Sequence, residues 1–216
     1  MARKTKKTES ALTAVQALKQ LYPNAKCSLN AETPFQLLVA TRLSAQCTDA
    51  RVNLVTPMLF EKFPDAESLR NAKTEEIEEL IKSCGLYKTK ARDLKRLAEV
   101  LVDEYSGELP QTLEELVKLP GVGRKTANLI LGDVYGLPAV VADTHCIRIS
   151  NRLGLTDSRD PKQVELQLKA LLPKEESNAF CHRLVLFGRE ICMARAPKCA
   201  ACPMNGFCVE YKSLSK

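Results

Sequence analysis

Apolar residues recur at helical spacing through most of this chain, and strand-like alternation is nearly absent. Leu94, Leu97, Ala98, Leu101, Val102 and Tyr105 fall on one face of a 3.6-residue repeat, and Leu12, Val15, Leu18 and Leu21 do likewise. Helix starts are signalled repeatedly. Thr33-Pro34-Phe35-Gln36 puts Thr at the N-cap, Pro at the first helical position and Gln at the third. Asp160-Pro161-Lys162-Gln163 repeats the device, and Thr112-Leu113-Glu114-Glu115 is a capping box. The pattern predicts helices over 9–21, 34–46, 49–62, 74–83, 88–105, 112–118, 124–134, 144–153, 161–171 and 176–189. Ala139-Val140-Val141 is a short β-like run that reads as an extended connection. The fold class is all-α. Apolar residues make up 45% of the chain, ample for a core.

Charge narrows the partners only a little. A net charge of +6 permits a polyanionic partner without demanding one. Arg3, Lys4, Lys6 and Lys7 crowd the start, and residues 1–8 read as a basic disordered arm, either solvated or adding phosphate contacts. No run of about 18 apolar residues exists, which excludes a membrane span by this signal. No apolar segment follows the basic start, so no export signal is expected and the cytoplasm is the expected compartment.

Leu119-Pro120-Gly121-Val122-Gly123 turns the chain between two helices. Pro ends the first, and the glycines admit positive φ and close approach of a backbone. A helix opening at Arg124 aims free N–H groups outward, an anion site suited to a nucleic-acid phosphate. The plain alternative is a tight helix–helix turn with no ligand. Lys125 sits in that helix's first turn, where the positive helix terminus disfavours a cation. A neutral lysine amine is a nucleophile, so a placement that harms stability favours reactivity. Alternatively Lys125 only contacts phosphate. Asp143 follows in Val141-Ala142-Asp143-Thr144-His145, where it can N-cap the next helix. One oxygen can cap while the other meets a substrate. A lysine and a carboxylate facing a sugar suit cleavage of an N-glycosidic bond: the carboxylate stabilises positive charge on the deoxyribose, and the amine takes C1′ as a Schiff base.

Nine cysteines divide into two groups. Cys27, Cys47, Cys84, Cys146 and Cys181 are scattered and read as buried small hydrophobes. Cys192, Cys199, Cys202 and Cys208 form a C-x6-C-x2-C-x5-C run, whose four thiolates suit zinc or an iron–sulfur cube. The loop between the first two carries Arg195 and Lys198, a solvated rim or a basic loop held against phosphate.

Together LPGVGRKTAN, the VADTH segment, the cysteine run and Leu43-Ser44-Ala45-Gln46-Cys47-Thr48-Asp49 resemble the endonuclease III family of DNA glycosylases, over about Ser10 to Tyr211. The resemblance implies a helix–hairpin–helix near 112–134 in a six-helix barrel lobe, 30–135. It implies a second lobe, 9–29 with 136–216, holding a [4Fe–4S] cluster on Cys192, Cys199, Cys202 and Cys208, with the DNA cleft between lobes. It implies Lys125 and Asp143 as catalytic residues. Gly121, Val122, Gly123 and Arg124, with Arg195 and Lys198, are implied at the DNA. Gln46 would fill the space of an extruded base and Leu86 would wedge into the stack; their plain alternatives are a polar helix end and a core residue. His145 would lie near the pocket or simply pack in its helix. Cys47 brings an oxidisable thiol beside Gln46. The implied activity is removal of oxidised pyrimidines from damaged double-stranded DNA, with strand nicking by β-elimination, by a monomer. Rival readings are an adenine-mismatch glycosylase relative, a non-enzymatic helix–hairpin–helix DNA-binding module with a metal staple, and a catalytically altered paralogue. Lys125 argues against the first, as does the lack of a further domain beyond the cysteine run.

Overall fold

Twelve α-helices and three short 3-10 turns make up the regular structure, with no strand among the described residues. The computed structural model describes residues 2–214, with side chains described over 6–213. It divides into two compact units, Cys27–Tyr135 and Met1–Lys26 with Gly136–Lys216.

The first unit holds α2 (Pro34–Leu43), α3 (Asp49–Lys62), α4 (Ala66–Asn71), α5 (Thr74–Ile81), α6 (Tyr87–Tyr105), α7 (Leu113–Leu116) and α8 (Arg124–Asp133). α6 is its spine, and α2, α4 and α5 pack on it. Leu94, Leu97, Ala98 and Leu101 of α6 are fully buried with Leu38, Leu43, Leu59, Leu69, Ile77 and Ile81. α8 packs on α2 and α7, which fixes the hairpin to this core. The second unit holds α1 (Ala2–Leu21), α9 (Thr144–Arg152), α10 (Pro161–Lys169), α11 (Ser177–Glu190) and α12 (Val209–Leu214). α11 is covered by α1 and α9 and buries Phe180, Leu184 and Phe187. The 139–141 run is extended and buried, and Val141 N–H donates to the Cys181 thiol at 3.3 Å.

The anticipated caps form. Thr33 Oγ1 accepts from Gln36 N at 3.2 Å, Asp160 Oδ1 from Gln163 N at 2.9 Å, and Thr112 Oγ1 from Glu115 N at 3.3 Å. Several expectations need correction. The helix expected over 34–46 ends at Leu43, because Thr48 must be extended to cap α3 and the chain reverses through Gln46 at φ 54. The stretch read as a disordered arm, 1–8, lies in α1 from Ala2 onward. Lys7 reaches Asp157 at 3.6 Å, and Ala11, Ala14, Val15 and Leu18 form the stripe that docks. Leu12 and Leu21, assigned to that stripe, flank it at 42% exposure. Cys27 and Cys47 are half-buried rather than core, whereas Cys84, Cys146 and Cys181 are buried as expected. α4 was not anticipated; Asp65 and Ser68 cap it reciprocally.

Candidate catalytic and nucleic-acid-binding site

The hairpin is built from the inside. Leu116, Leu119 and Val122 are buried, and Val122 N donates to Leu119 O at 3.0 Å to close the turn. Gly121 stands at φ 71, and a Cβ there would strike the Arg42 guanidinium. Its backbone favours glycine, and a Cβ there would have to displace the end of the Arg42 side chain. Gly123 differs. Its φ of −91 suits any residue, and nothing lies within 4 Å of a Cβ built on it. The protein itself sets no demand for glycine at 123. As N-cap of α8 it offers no side chain to the first-turn N–H groups, and that turn holds no acidic residue. Those N–H groups form an anion-binding terminus. Arg124 and Lys125 open the helix; Lys125 is exposed, while Asn128 is anchored one turn on, its Nδ2 donating to Arg124 O at 3.0 Å.

Gln46 and Leu86 lie on two turns of the same unit. Both are exposed and both carry positive φ, 54 and 49. Leu86 is 60% exposed, which overturns its alternative as a core residue, and Gln46 lies beyond the end of α2 rather than on it. A leucine in the left-handed region is an outlier that costs about 1–2 kcal/mol. Such strain concentrates at functional positions. The two turns are joined by Lys90, whose Nζ donates to Leu43 O at 2.8 Å and Cys84 O at 2.7 Å. Burial first, then the neighbouring Cys47 thiol, pushes the Cys84 thiol up to about 11.

Asp143 belongs to the other unit. It N-caps α9, its Oδ1 accepting from Cys146 N at 2.7 Å, and it is half-buried. A hydrogen bond with Cys181, then burial, holds the Cys146 thiol well above its usual range, so it is an inert neighbour. His145 is half-buried and packed: its Nδ1 lies 3.2 Å from an Arg148 nitrogen, and a Cβ on Gly188 would strike the ring. Arg148 also donates to Cys192 O at 2.9 Å, tying α9 to the cysteine loop.

Cys192, Cys199, Cys202 and Cys208 line one pocket with Arg152, Phe187, Ile191 and Tyr211. Burial, then the charge of the other cysteines, raises the Cys202 thiol. Four thiols lining one pocket form a donor set that can hold a four-cysteine metal site or an iron–sulfur cluster. Arg152 sits against them: it donates to Met193 O at 2.7 Å and Ala194 O at 3.1 Å, with Cys192 Sγ 3.5 Å away. Its guanidinium holds the start of the 193–198 loop, on which Arg195 and Lys198 are exposed. Sequence reasoning missed Lys90, Arg42 and Arg152. Lys90 alone had a signal, since it falls on the core stripe of α6 four residues before Leu94.

Comparison with known proteins identifies the family. Residues 39–174 match the HhH-GPD superfamily base excision DNA repair protein family, and 192–208 match the iron–sulfur binding domain of endonuclease III. Endonuclease III of Synechocystis sp. is 47% identical over 203 residues, covering 94% of this chain and 93% of that protein. Endonuclease III of Bacillus subtilis is 45% identical, covering 91% and 90%. The structure of a trapped endonuclease III–DNA covalent intermediate superposes with a TM-score of 0.90 at 42% identity, covering 97% of this chain and 99% of that one. No helix is long and apolar enough to cross a membrane among the described residues.

Proposed function

The chain belongs to the endonuclease III family of base-excision-repair DNA glycosylases and carries a [4Fe–4S] cluster, and from that premise we propose that Lys125 is its nucleophile and Asp143 its catalytic carboxylate. The observation that carries this reading is an exposed lysine at the second position of α8, behind an N-cap without a side chain. The helix terminus and Gly121 to Gly123 take a backbone phosphate, and the amine stands beside it. Substrates are oxidised pyrimidines in damaged duplex DNA, extruded from the stack while Gln46 fills the gap and Leu86 wedges beside it. The enzyme acts as a monomer in the cytosol.

The chemistry follows from the groups. The Asp143 carboxylate stabilises positive charge developing on the deoxyribose as the N-glycosidic bond breaks and the base departs with that bond's electron pair. The unprotonated Lys125 amine forms a bond to C1′, loses a proton, and the sugar ring opens to an iminium. Loss of a proton from C2′ then expels the 3′ phosphate with the C3′–O electron pair, nicking the strand. Water releases the lysine. Cys192, Cys199, Cys202 and Cys208 hold the cluster, which when bound staples the 192–208 segment and presents Arg195 and Lys198 to phosphate.

Borohydride reduces the iminium to a stable amine and so captures the protein on DNA. Wild type is expected to be captured on a duplex carrying an oxidised pyrimidine, and Lys125→Ala to lose capture while still binding. Capture of Lys125→Ala at the wild-type rate would refute the assignment.

A further inference from the structure

Lys90 is only 5% exposed and shares the buried face of α6 with Leu94, Leu97 and Leu101. A buried ammonium is unfavourable, and its place in the first turn of α6 sets it against the helix dipole as well. Its partners offset both. Nζ donates to the carbonyl of Leu43, which closes α2, at 2.8 Å, and to the carbonyl of Cys84, which closes the 3-10 turn Lys82–Cys84, at 2.7 Å. Both oxygens sit at helix C-termini, the negative end that favours a cation. The main-chain N–H of Lys90 donates to Leu86 O at 3.0 Å. One residue therefore holds the chain three positions before Gln46, two positions before Leu86, and at Leu86 itself. Left-handed φ at Gln46 and Leu86 persists only where neighbours over-determine it.

We propose that Lys90 is a positioning residue that clamps the Gln46 and Leu86 turns into one rigid, two-pronged wedge for opening the base stack. The inference rests on the roles assigned to Gln46 and Leu86 above. In it Lys90 touches no reacting atom, and its contribution is confined to extruding a paired base.

The test uses the full-length, cluster-loaded protein. Lys90→Met keeps the side-chain stem and removes the donors. Single-turnover base release is measured on a lesion in a fully paired duplex and on the same lesion within an unpaired bubble, where extrusion is already done. Lys90→Met is expected to be roughly tenfold slower on the paired substrate and within about twofold on the bubble. Leu86→Ala is expected to give the same pattern, and the double variant to be no slower than Leu86→Ala alone, since coupled residues are not additive. Lys90→Gln, with a neutral donor, is expected to recover part of the loss; if Lys90→Met does not fold, Lys90→Gln and Lys90→Arg run the same comparison. Equal slowing on both substrates, or multiplicative losses with Leu86→Ala, would reduce Lys90 to general stability and overturn the clamp. Slowing by Leu86→Ala but not by Lys90→Met overturns the clamp alone. Slowing by neither overturns the wedge itself, and the clamp with it.

Discussion

Asp143 caps α9 and is proposed as the catalytic carboxylate, and one pair of substitutions separates the two roles. Its Oδ1 caps α9 by accepting the Cys146 N–H at 2.7 Å. Asn caps about as well as Asp, so Asp143→Asn keeps that bond and loses only the favourable charge at the helix N-terminus, about 0.3–1 kcal/mol. At roughly 2–4 °C per kcal/mol for a chain of this size, the melting temperature should fall by no more than about 4 °C. Asp143→Ala loses the cap as well, a further ~1 kcal/mol. Catalysis should respond in the opposite proportion. If the carboxylate stabilises a cationic sugar, removing its charge should slow base release by about 10²–10³, the range for losing one preorganised electrostatic group. Asn and Ala should then be similarly slow while differing in stability. Single-turnover base release and thermal melts monitored by circular dichroism read the two effects separately. Base release by Asp143→Asn within roughly threefold of wild type, or under ~0.7 kcal/mol of barrier, would leave Asp143 as a cap and refute its catalytic role.

The two hairpin glycines should respond differently. Gly121→Ala forces a Cβ onto the Arg42 guanidinium at φ 71 and should destabilise by about 2 kcal/mol or more in urea melts. Gly123→Ala meets nothing within the protein and should cost only about 0.5–1 kcal/mol as a poorer N-cap, yet weaken duplex binding roughly tenfold in titrations. Arg195→Ala and Lys198→Ala should each lower the slope of log affinity against log salt by about 0.9. Stability should also depend on acid through Glu176, whose carboxyl is held below its ordinary 4.5 by hydrogen bonds from Lys19 first and Arg183 next. A lowered folded value stabilises above the ordinary pKa, and that contribution is lost as pH falls below 4.5. Urea melts of Glu176→Gln should therefore be weaker than wild type at neutral pH and converge with it in acid.

The features legible in the sequence are those that local physics sets. Thr33, Thr112 and Asp160 announce their helices because a cap needs only a side chain three residues from the N–H it accepts. The stripe of α6 is legible because burial repeats every turn. α4 was missed because six residues hold under two turns and Asp65–Ser68 is a less common box. The end of α2 was misplaced because no Gly or Pro marks it; the reversal at Gln46 is imposed by Thr48, which must lie extended to cap α3. Leu86 looks like any core leucine until its positive φ and exposure are seen. Lys90 carried a sign in sequence, a charge on an apolar face, but its carbonyl partners come from residues 47 and 6 positions away. Val117, which directly follows α7, is 41% exposed, since a four-residue helix turns too little to define a face.

The measurement closest to the central claim is the location of the covalent bond. The protein is reduced with borohydride on a duplex carrying an oxidised pyrimidine, digested, and sequenced by mass spectrometry. The account predicts a sugar remnant on the side chain of Lys125 and on no other amine. A remnant on the N-terminal amine, on Lys90 or on any other lysine, with Lys125 unmodified, would contradict it.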